Sequence, residues 1–267
     1  MRPGRSLKER VALNDYVLNG YCQISSPFAA EVYALQGWDS VTIDMEHGSI
    51  GFDGAVTILQ AITASGVVPL VRIPAVDTAL IGMLLDAGAL GVTCAMINTK
   101  GEAMELVRAC KYPPRGIRSL SRSTRATRVY GPDYNVRADE LTSVFAMIET
   151  AEGMANLDDI TAVDGIDGIY FGSVDFAMSV LGRFPPAKGA DAEIDALVDD
   201  ATRRIVARCK SRGIIAGINA TTTEAAGRMI ASGFRFITIS SDVRALELQS
   251  KAWIDGVRAL AAGLLKK

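Results

Sequence analysis

Ionisable residues stand at the ends of four short apolar runs in this chain. Asp44-Met45-Glu46-His47 follows the first, Arg72 closes the second just before Ile73-Pro74, Glu149-Thr150 follows the third, and Asp175 lies past Phe171-Gly172-Ser173-Val174. Taken one at a time, each has an ordinary explanation, since carboxylates are favoured at helix starts. Taken together they describe one site. Glu149 and Asp175, without histidine or thiolate neighbours, are hard oxygen donors suited to Mg²⁺ or Mn²⁺ rather than zinc. A metal with two protein ligands keeps positions for water and a chelating substrate. Arg72 is a planar, permanently charged donor suited to a carboxylate or a developing enolate. His47, with Asp44 three residues earlier, reads as an oriented acid–base pair, imidazole being the side chain whose proton exchanges in the physiological range. Metal, arginine and base together suit stabilisation of the enolate of a 2-oxo acid.

Elements that bring these residues together are legible in the periodicity. Short β-branched runs at 18–24, 40–44, 67–72, 91–97, 144–149, 168–172, 214–218 and 236–240 are nearly continuous in apolar character, as buried parallel strands are. Helical patterns lie between them at 52–65, 78–87, 101–110, 192–211 and 222–232, with Gly66, Gly88, Gly213 and Gly233 where a left-handed helix end favours glycine. Eight strands with helical crossovers predict a single (β/α)8 TIM barrel spanning 1–267, a usual size for that fold. Such barrels place their chemistry at the carboxyl ends of the strands, where the ionisable residues stand. An open doubly wound sheet is the alternative, but no GxGxxG or P-loop occurs. The stretch 112–142, with two adjacent prolines and six arginines, interrupts the rhythm and reads as a long functional loop or interface arm.

Composition narrows the function classes. Lys plus Arg total 28 against 30 Asp plus Glu, so no electrostatic footprint for nucleic acid or anionic membrane exists. No apolar run is long enough to span a bilayer, and the basic, polar start at 1–10 does not read as a signal peptide. Four scattered cysteines and one histidine cannot build a zinc site of the usual kinds, and the cysteines read as reduced and buried. The expectation is a cytoplasmic protein acting on small molecules.

The ordered series VTIDMEHGSI, PLVRIP, LLDAGALGVTCAMINT, CKYPPRGIRS, MIETAEGMANLDDI and GIDGIYFGSVDFAMSVLG resembles the HpcH/HpaI aldolases, over most of the chain from about residue 14 to 242. These are class II, metal-dependent pyruvate aldolases of the 4-hydroxy-2-oxoheptanedioate and 2-keto-3-deoxy-sugar-acid type, built on a (β/α)8 barrel. The resemblance implies retro-aldol cleavage of a 4-hydroxy-2-oxo acid to pyruvate and an aldehyde through a metal-stabilised enolate. It implies that Glu149 and Asp175 bind the divalent ion (Mg²⁺, Mn²⁺ or Co²⁺), that Arg72 stabilises the enolate oxygen, and that His47 is the acid–base group oriented by Asp44. Glu46 would hold metal-bound water, and the backbone of Gly172, Ser173, Val174 and Asp175 would cradle the pyruvate carboxylate. Asp86 matches an aspartate that reaches a neighbouring subunit's site in family hexamers, and Arg118 would help bound the aldehyde pocket. Met147 departs from the family pattern, which commonly carries glutamine two residues before the metal glutamate; a thioether there bears on how nucleophile and aldehyde are oriented.

Other functions fit less of the sequence. An acyl-CoA lyase of the same superfamily shares the metal carboxylates, but no segment is dedicated to a large nucleotide ligand. A Schiff-base aldolase needs a lysine in an apolar strand setting, and none falls in a predicted strand; Lys100 comes nearest, in a loop. A non-enzymatic binding barrel gives no reason for the whole constellation to be present.

Overall fold

A computed structural model describes residues 6–187 and 189–265. The predicted domain span, 1–267, and the basic start at 1–10 therefore extend beyond the described residues. Eight strands run parallel and close on themselves in sequence order: β1 (Val17–Cys22), β2 (Ser40–Asp44), β3 (Val68–Ile73), β4 (Gly91–Cys94), β5 (Ser143–Ile148), β6 (Gly168–Phe171), β7 (Ile215–Asn219) and β8 (Phe236–Ser241). This is the (β/α)8 barrel that the alternation of runs and helical patterns predicts.

Alternation along each strand sorts the side chains between two cores. Val41, Ile43, Val71, Ile73, Val144, Ala146, Ile148, Ile169 and Phe171 face outward and pack under the helices. Val17, Tyr21, Val68, Leu70, Phe145, Met147, Tyr170 and Phe236 fill the interior. Asn19 ties three strands inside the barrel, its amide oxygen accepting from Ser40 at 2.8 Å and Thr42 at 3.0 Å while its nitrogen donates to Thr238 at 3.0 Å. Gly217 makes room for the interior rings: a Cβ there would lie 2.9 Å from both Phe236 and Tyr170.

Helices begin where side-chain oxygens satisfy free backbone N–H groups. Asp77 accepts from Ala79 and Leu80 at the start of Thr78–Asp86, and Thr99 and Glu102 form a reciprocal cap on Lys100–Cys110. Two glycines end helices as expected: Gly213 (φ 66°) after Ala192–Arg212 and Gly233 (φ 114°) after Thr223–Ser232.

The segment 112–142 differs from its expectation as a loop. It holds two short helices, Arg125–Tyr130 and Tyr134–Leu141, packed at the amino ends of the strands. Tyr130 donates to the Gly88 carbonyl at 2.6 Å and Arg125 to the Ala87 carbonyl at 2.7 Å, just before β4. The two helices, of six and eight residues, are too short for periodicity to reveal them.

Candidate active site

Inward parity carries Asp44, Arg72, Met147 and Glu149 to the inside of the carboxyl rim. β2 and β3 pair in a register that sets Asp44 opposite Arg72. Arg72 donates from Nε to Asp44 Oδ1 at 3.0 Å and from Nη2 to Oδ2 at 2.8 Å, a two-point clamp between buried groups. Asp44 Oδ2 also accepts from Gln23 Nε2 at 2.8 Å, and Oδ1 accepts the backbone N–H groups of Glu46 and His47 at 3.2 Å. Burial pushes the Asp44 carboxyl up, but the bonds and charge of Arg72, then Gln23 and the His47 N–H, outweigh it and hold the carboxyl below its ordinary range. The Arg72 guanidinium lies over the Tyr21 ring, 4.4 Å from its centroid, which fixes its plane.

This geometry corrects the expected Asp44–His47 pair. Asp44 receives the His47 backbone N–H, not its imidazole, and spends its other oxygen on Arg72 and Gln23. The His47 side chain is 62% exposed, with Nε2 3.7 Å from Glu46 Oε2. Asp44 thus orders the turn that carries His47 and locks the arginine.

The acidic side of the rim comes from β5 and β6. Glu149 is buried at the end of β5, its Oε1 accepting the N–H of Met96 at 2.8 Å. Met96 takes a left-handed φ of 58° to deliver that N–H, an unusual conformation for a long side chain. Gly172 lies against the same carboxylate: a Cβ there would lie 2.7 Å from Glu149 Oε2 and 2.9 Å from the Met147 methyl. Only glycine lets β6 approach this closely. Asp175 is half-buried in the first turn of the helix Ser173–Leu181. No side chain caps that helix, which leaves its first N–H groups for an anion.

Glu149 and Glu46 are unfavourable as bare anions. Burial, and after it the charges of Glu46 and Asp175, outweigh the Met96 N–H and push the Glu149 carboxyl up to about 7. Burial likewise raises the Glu46 carboxyl, against the pull of Arg72 and His47. Among the described residues Glu46 Oε2 is buried without a hydrogen-bond partner, although Arg72 Nε stands 3.3 Å away. An all-oxygen donor set with mutual repulsion and an unpartnered oxygen fits a divalent cation. Among the described residues no three His, Cys, Asp or Glu side chains form a ready-made metal cage. Glu149 and Asp175 would therefore supply the protein donors, with water and substrate completing the shell.

A cavity of about 450 Å³ opens over these groups. His47, Arg72, Met147, Gly172, Ser173, Val174 and Asp175 line one half. The other half was not anticipated: Asn219, Thr221, Ser240, Ser241 and Arg244 come from the ends of β7 and β8, together with Gln23 after β1. Inward parity at the strand ends was the available signal for Asn219 and Gln23, and a register shift between β1 and β8 turns Ser240 and Ser241 to the cavity without one; their neutral side chains gave no reason to single them out. No lysine lines the cavity among the described residues, and Lys111, buried, is bonded to the Thr142 carbonyl at the opposite end of the barrel.

Asp86 and Arg118 do not reach this chain's rim. Arg118 Nη2 donates to Asp86 Oδ1 at 2.7 Å, with its guanidinium over the Tyr112 ring at 4.6 Å and Nη1 3.3 Å from the Tyr134 hydroxyl. Both belong to the amino end of the barrel, where Asp86 closes the helix leading into β4 and Arg118 N donates to the Lys111 carbonyl. Arg118 is buried there and does not line this chain's cavity.

Comparisons with known proteins agree with the fold. A family model described as HpcH/HpaI aldolase/citrate lyase matches residues 20–247. A hydroxypyruvate/pyruvate aldolase of Rhizorhabdus wittichii is 37% identical over 243 residues, covering 91% of this chain and 94% of the relative. A 4-hydroxy-2-oxovalerate aldolase of Rhodococcus jostii is 34% identical over 253 residues, covering 94% and 95%. Among solved structures, a HpcH/HpaI aldolase/citrate lyase family protein from Burkholderia cenocepacia superposes with a TM-score of 0.84 at 32% identity, covering 94% of this chain and 98% of that one.

Proposed function

This chain belongs to the HpcH/HpaI aldolase/citrate lyase family, and from that premise we propose that it cleaves a 4-hydroxy-2-oxo acid into pyruvate, or a close 2-oxo acid, and an aldehyde. It is a carbon–carbon lyase. The observation that carries the reading is the convergence of a clamped arginine, an exposed imidazole and the Asp175 carboxylate on one cavity at the carboxyl rim, with the Glu149 carboxylate buried against Gly172 of its lining. Relatives matching nearly the whole chain are named as aldolases, which favours this reading over an acyl-CoA lyase.

Glu149 and Asp175 would hold a divalent ion, Mg²⁺, Mn²⁺ or Co²⁺, with Glu46 beside it. When bound, such an ion polarises the 2-oxo group as a Lewis acid and neutralises crowded negative charge. The N–H groups of Ser173 and Val174, at the uncapped helix start, receive the substrate carboxylate. Arg72, held by Nε and Nη2, stabilises the C2 oxygen as it gains charge. His47 takes the proton of the C4 hydroxyl. The O–H electrons form the aldehyde carbonyl, the C3–C4 bond breaks, and its electron pair becomes the C2–C3 double bond of the enolate. After the aldehyde leaves, the protonated imidazole returns its proton to C3 to give pyruvate. Asp44 is a positioning residue for Arg72 and the His47 turn, and Met147 offers the C3–C4 region an apolar wall.

A homo-oligomer, hexameric by the same family resemblance, belongs to this proposal. The last helix, Asp242–Leu264, leaves Leu246, Trp253, Val257, Leu260 and Leu264 exposed, and a second copy covering that stripe would remove them from water. Asp86 reaching a neighbour's site is part of the same assembly. A cytoplasmic location suits four free, buried cysteines and the absence, among the described residues, of any helix long and apolar enough to cross a membrane.

A panel of 4-hydroxy-2-oxo acids with released pyruvate as readout tests the function. Cleavage should vanish on chelation, return with Mg²⁺, Mn²⁺ or Co²⁺, and be abolished in Glu149→Gln and Asp175→Asn. Full activity after exhaustive chelation, or a borohydride-trapped pyruvate–lysine adduct, would overturn it.

A further inference from the structure

The cavity is asymmetric around the barrel. Asp175 after β6, Met147 of β5 and Arg72 of β3 line one side, whereas residues 95–100 after β4 contribute nothing to the lining. The space instead continues along the arc β7–β8–β1, past Asn219, Thr221, Ser240, Ser241 and Gln23 to Arg244 at the mouth. A substrate whose 2-oxo acid end lies between Arg72 and Asp175 has only this arc in which to extend its aldehyde half.

Resting on the retro-aldol reading, we propose that this arc is the aldehyde subsite and that Arg244 is its specificity-determining residue, receiving a carboxylate at the far end of a hydroxylated aldehyde. Two amides and three hydroxyls between the reacting carbons and Arg244 favour a chain that carries hydroxyls. An alkyl chain packed against them would leave buried polar groups unpaired. Arg244 differs from Arg72, the other guanidinium lining the cavity. Arg72 is buried in its clamp with Asp44, while among the described residues the Arg244 guanidinium meets only Glu247, at 3.2 Å, with both side chains 60% exposed. An exposed pair of that kind holds its partners weakly, so the guanidinium fork is available to a ligand.

The arc is also built to keep its shape. Asp242, buried, accepts the backbone N–H groups of Gln23 at 2.9 Å and Ile24 at 3.2 Å, joining the loop after β1 to the helix that carries Arg244. The first N–H groups of that helix are already taken: Val243 donates to Asp242 Oδ1 and Arg244 to Ser241 Oγ. A phosphate would find one guanidinium and no free helix amides there, whereas a carboxylate is matched by a single planar fork.

The test compares kcat/KM for three metal-supplemented substrates that release pyruvate and a three-carbon aldehyde: tartronate semialdehyde, glyceraldehyde or propanal. The wild-type protein should favour the tartronate semialdehyde precursor over the glyceraldehyde precursor by about tenfold or more, the worth of one charge-assisted hydrogen bond. The propanal precursor should be the poorest of the three. Arg244→Met, at an exposed position that should not disturb folding, should bring the first ratio to within about threefold of unity. Arg244→Lys should retain part of the preference, and Glu247→Gln should retain or raise it. A wild-type preference for either uncharged aldehyde, or a carboxylate preference unchanged in Arg244→Met, would overturn the assignment while leaving the aldolase reading intact. Wild-type protein that cleaves none of the three, nor any other 4-hydroxy-2-oxo acid, would overturn both.

Discussion

Replacing Asp44 with Asn separates two roles that the turn sequence alone confuses. The Asp44 carboxylate is fully buried and accepts from both nitrogens of the Arg72 fork, from Gln23 and from two backbone N–H groups. An amide has one acceptor oxygen, so in Asp44→Asn its NH₂ must face at least one of these donors. The Arg72 charge then remains buried with Glu46 as its nearest carboxylate, 3.3 Å from Nε. Breaking a buried ion pair by removing one partner costs about 3–5 kcal/mol. For a chain of this size that is a fall in Tm of roughly 6–20 °C. An arginine drawn toward Glu46 no longer faces the reacting oxygen, and a displacement of this order costs roughly 100-fold in kcat/KM. Because Asp44 does not touch the imidazole, the residual rate should keep the wild-type pH midpoint. The assays are thermal and urea unfolding followed by circular dichroism, and pyruvate release across pH. Adding Arg72→Met should recover part of the lost stability, because the buried charge goes with it, and recover none of the activity. Wild-type stability in Asp44→Asn, or a rate loss accompanied by a shifted pH midpoint, would refute the clamp and restore an Asp44–His47 pair.

His47→Ala should lower cleavage by roughly 10²–10⁴-fold, and the unfolding midpoint should barely move because the ring is mostly exposed. Gly172→Ala sets a Cβ 2.7 Å from Glu149 Oε2, so calorimetric titration should show Mn²⁺ binding weakened by about tenfold, an effect of the 1–3 kcal/mol that overpacking costs. The Asp44 carboxyl is held below its ordinary range in the folded protein. The stability it contributes is therefore complete above the unfolded value of about 3.9 and is lost as pH falls through the folded value. Urea midpoints measured from neutral pH downward should fall less steeply in the acid limb for Asp44→Asn than for the wild type.

Much of this protein was readable within a few residues of each position. The β-branched runs, the apolar periodicity and the glycines at 213 and 233 mark elements whose signals are local, because strand parity and helix capping are decided over a turn or two of chain. Barrel closure follows from eight such units, and with it the carboxyl rim that gathers His47, Arg72, Glu149 and Asp175. What the residues touch there was not local. Asp44 meets Arg72 because β2 and β3 pair in one register, and that pairing takes the carboxylate which spacing alone would assign to His47. Arg118 was read with a loop, yet its charge is buried at the opposite end of the barrel, where Asp86 and two tyrosine rings receive it. The polar arc at Asn219, Ser240 and Arg244 has no motif; it exists because β7, β8 and β1 are brought side by side when the sheet closes. Residue type and period settle where a side chain can point, since both are properties of the nearby backbone; which partner it finds is settled by register and closure, since those join segments distant along the chain.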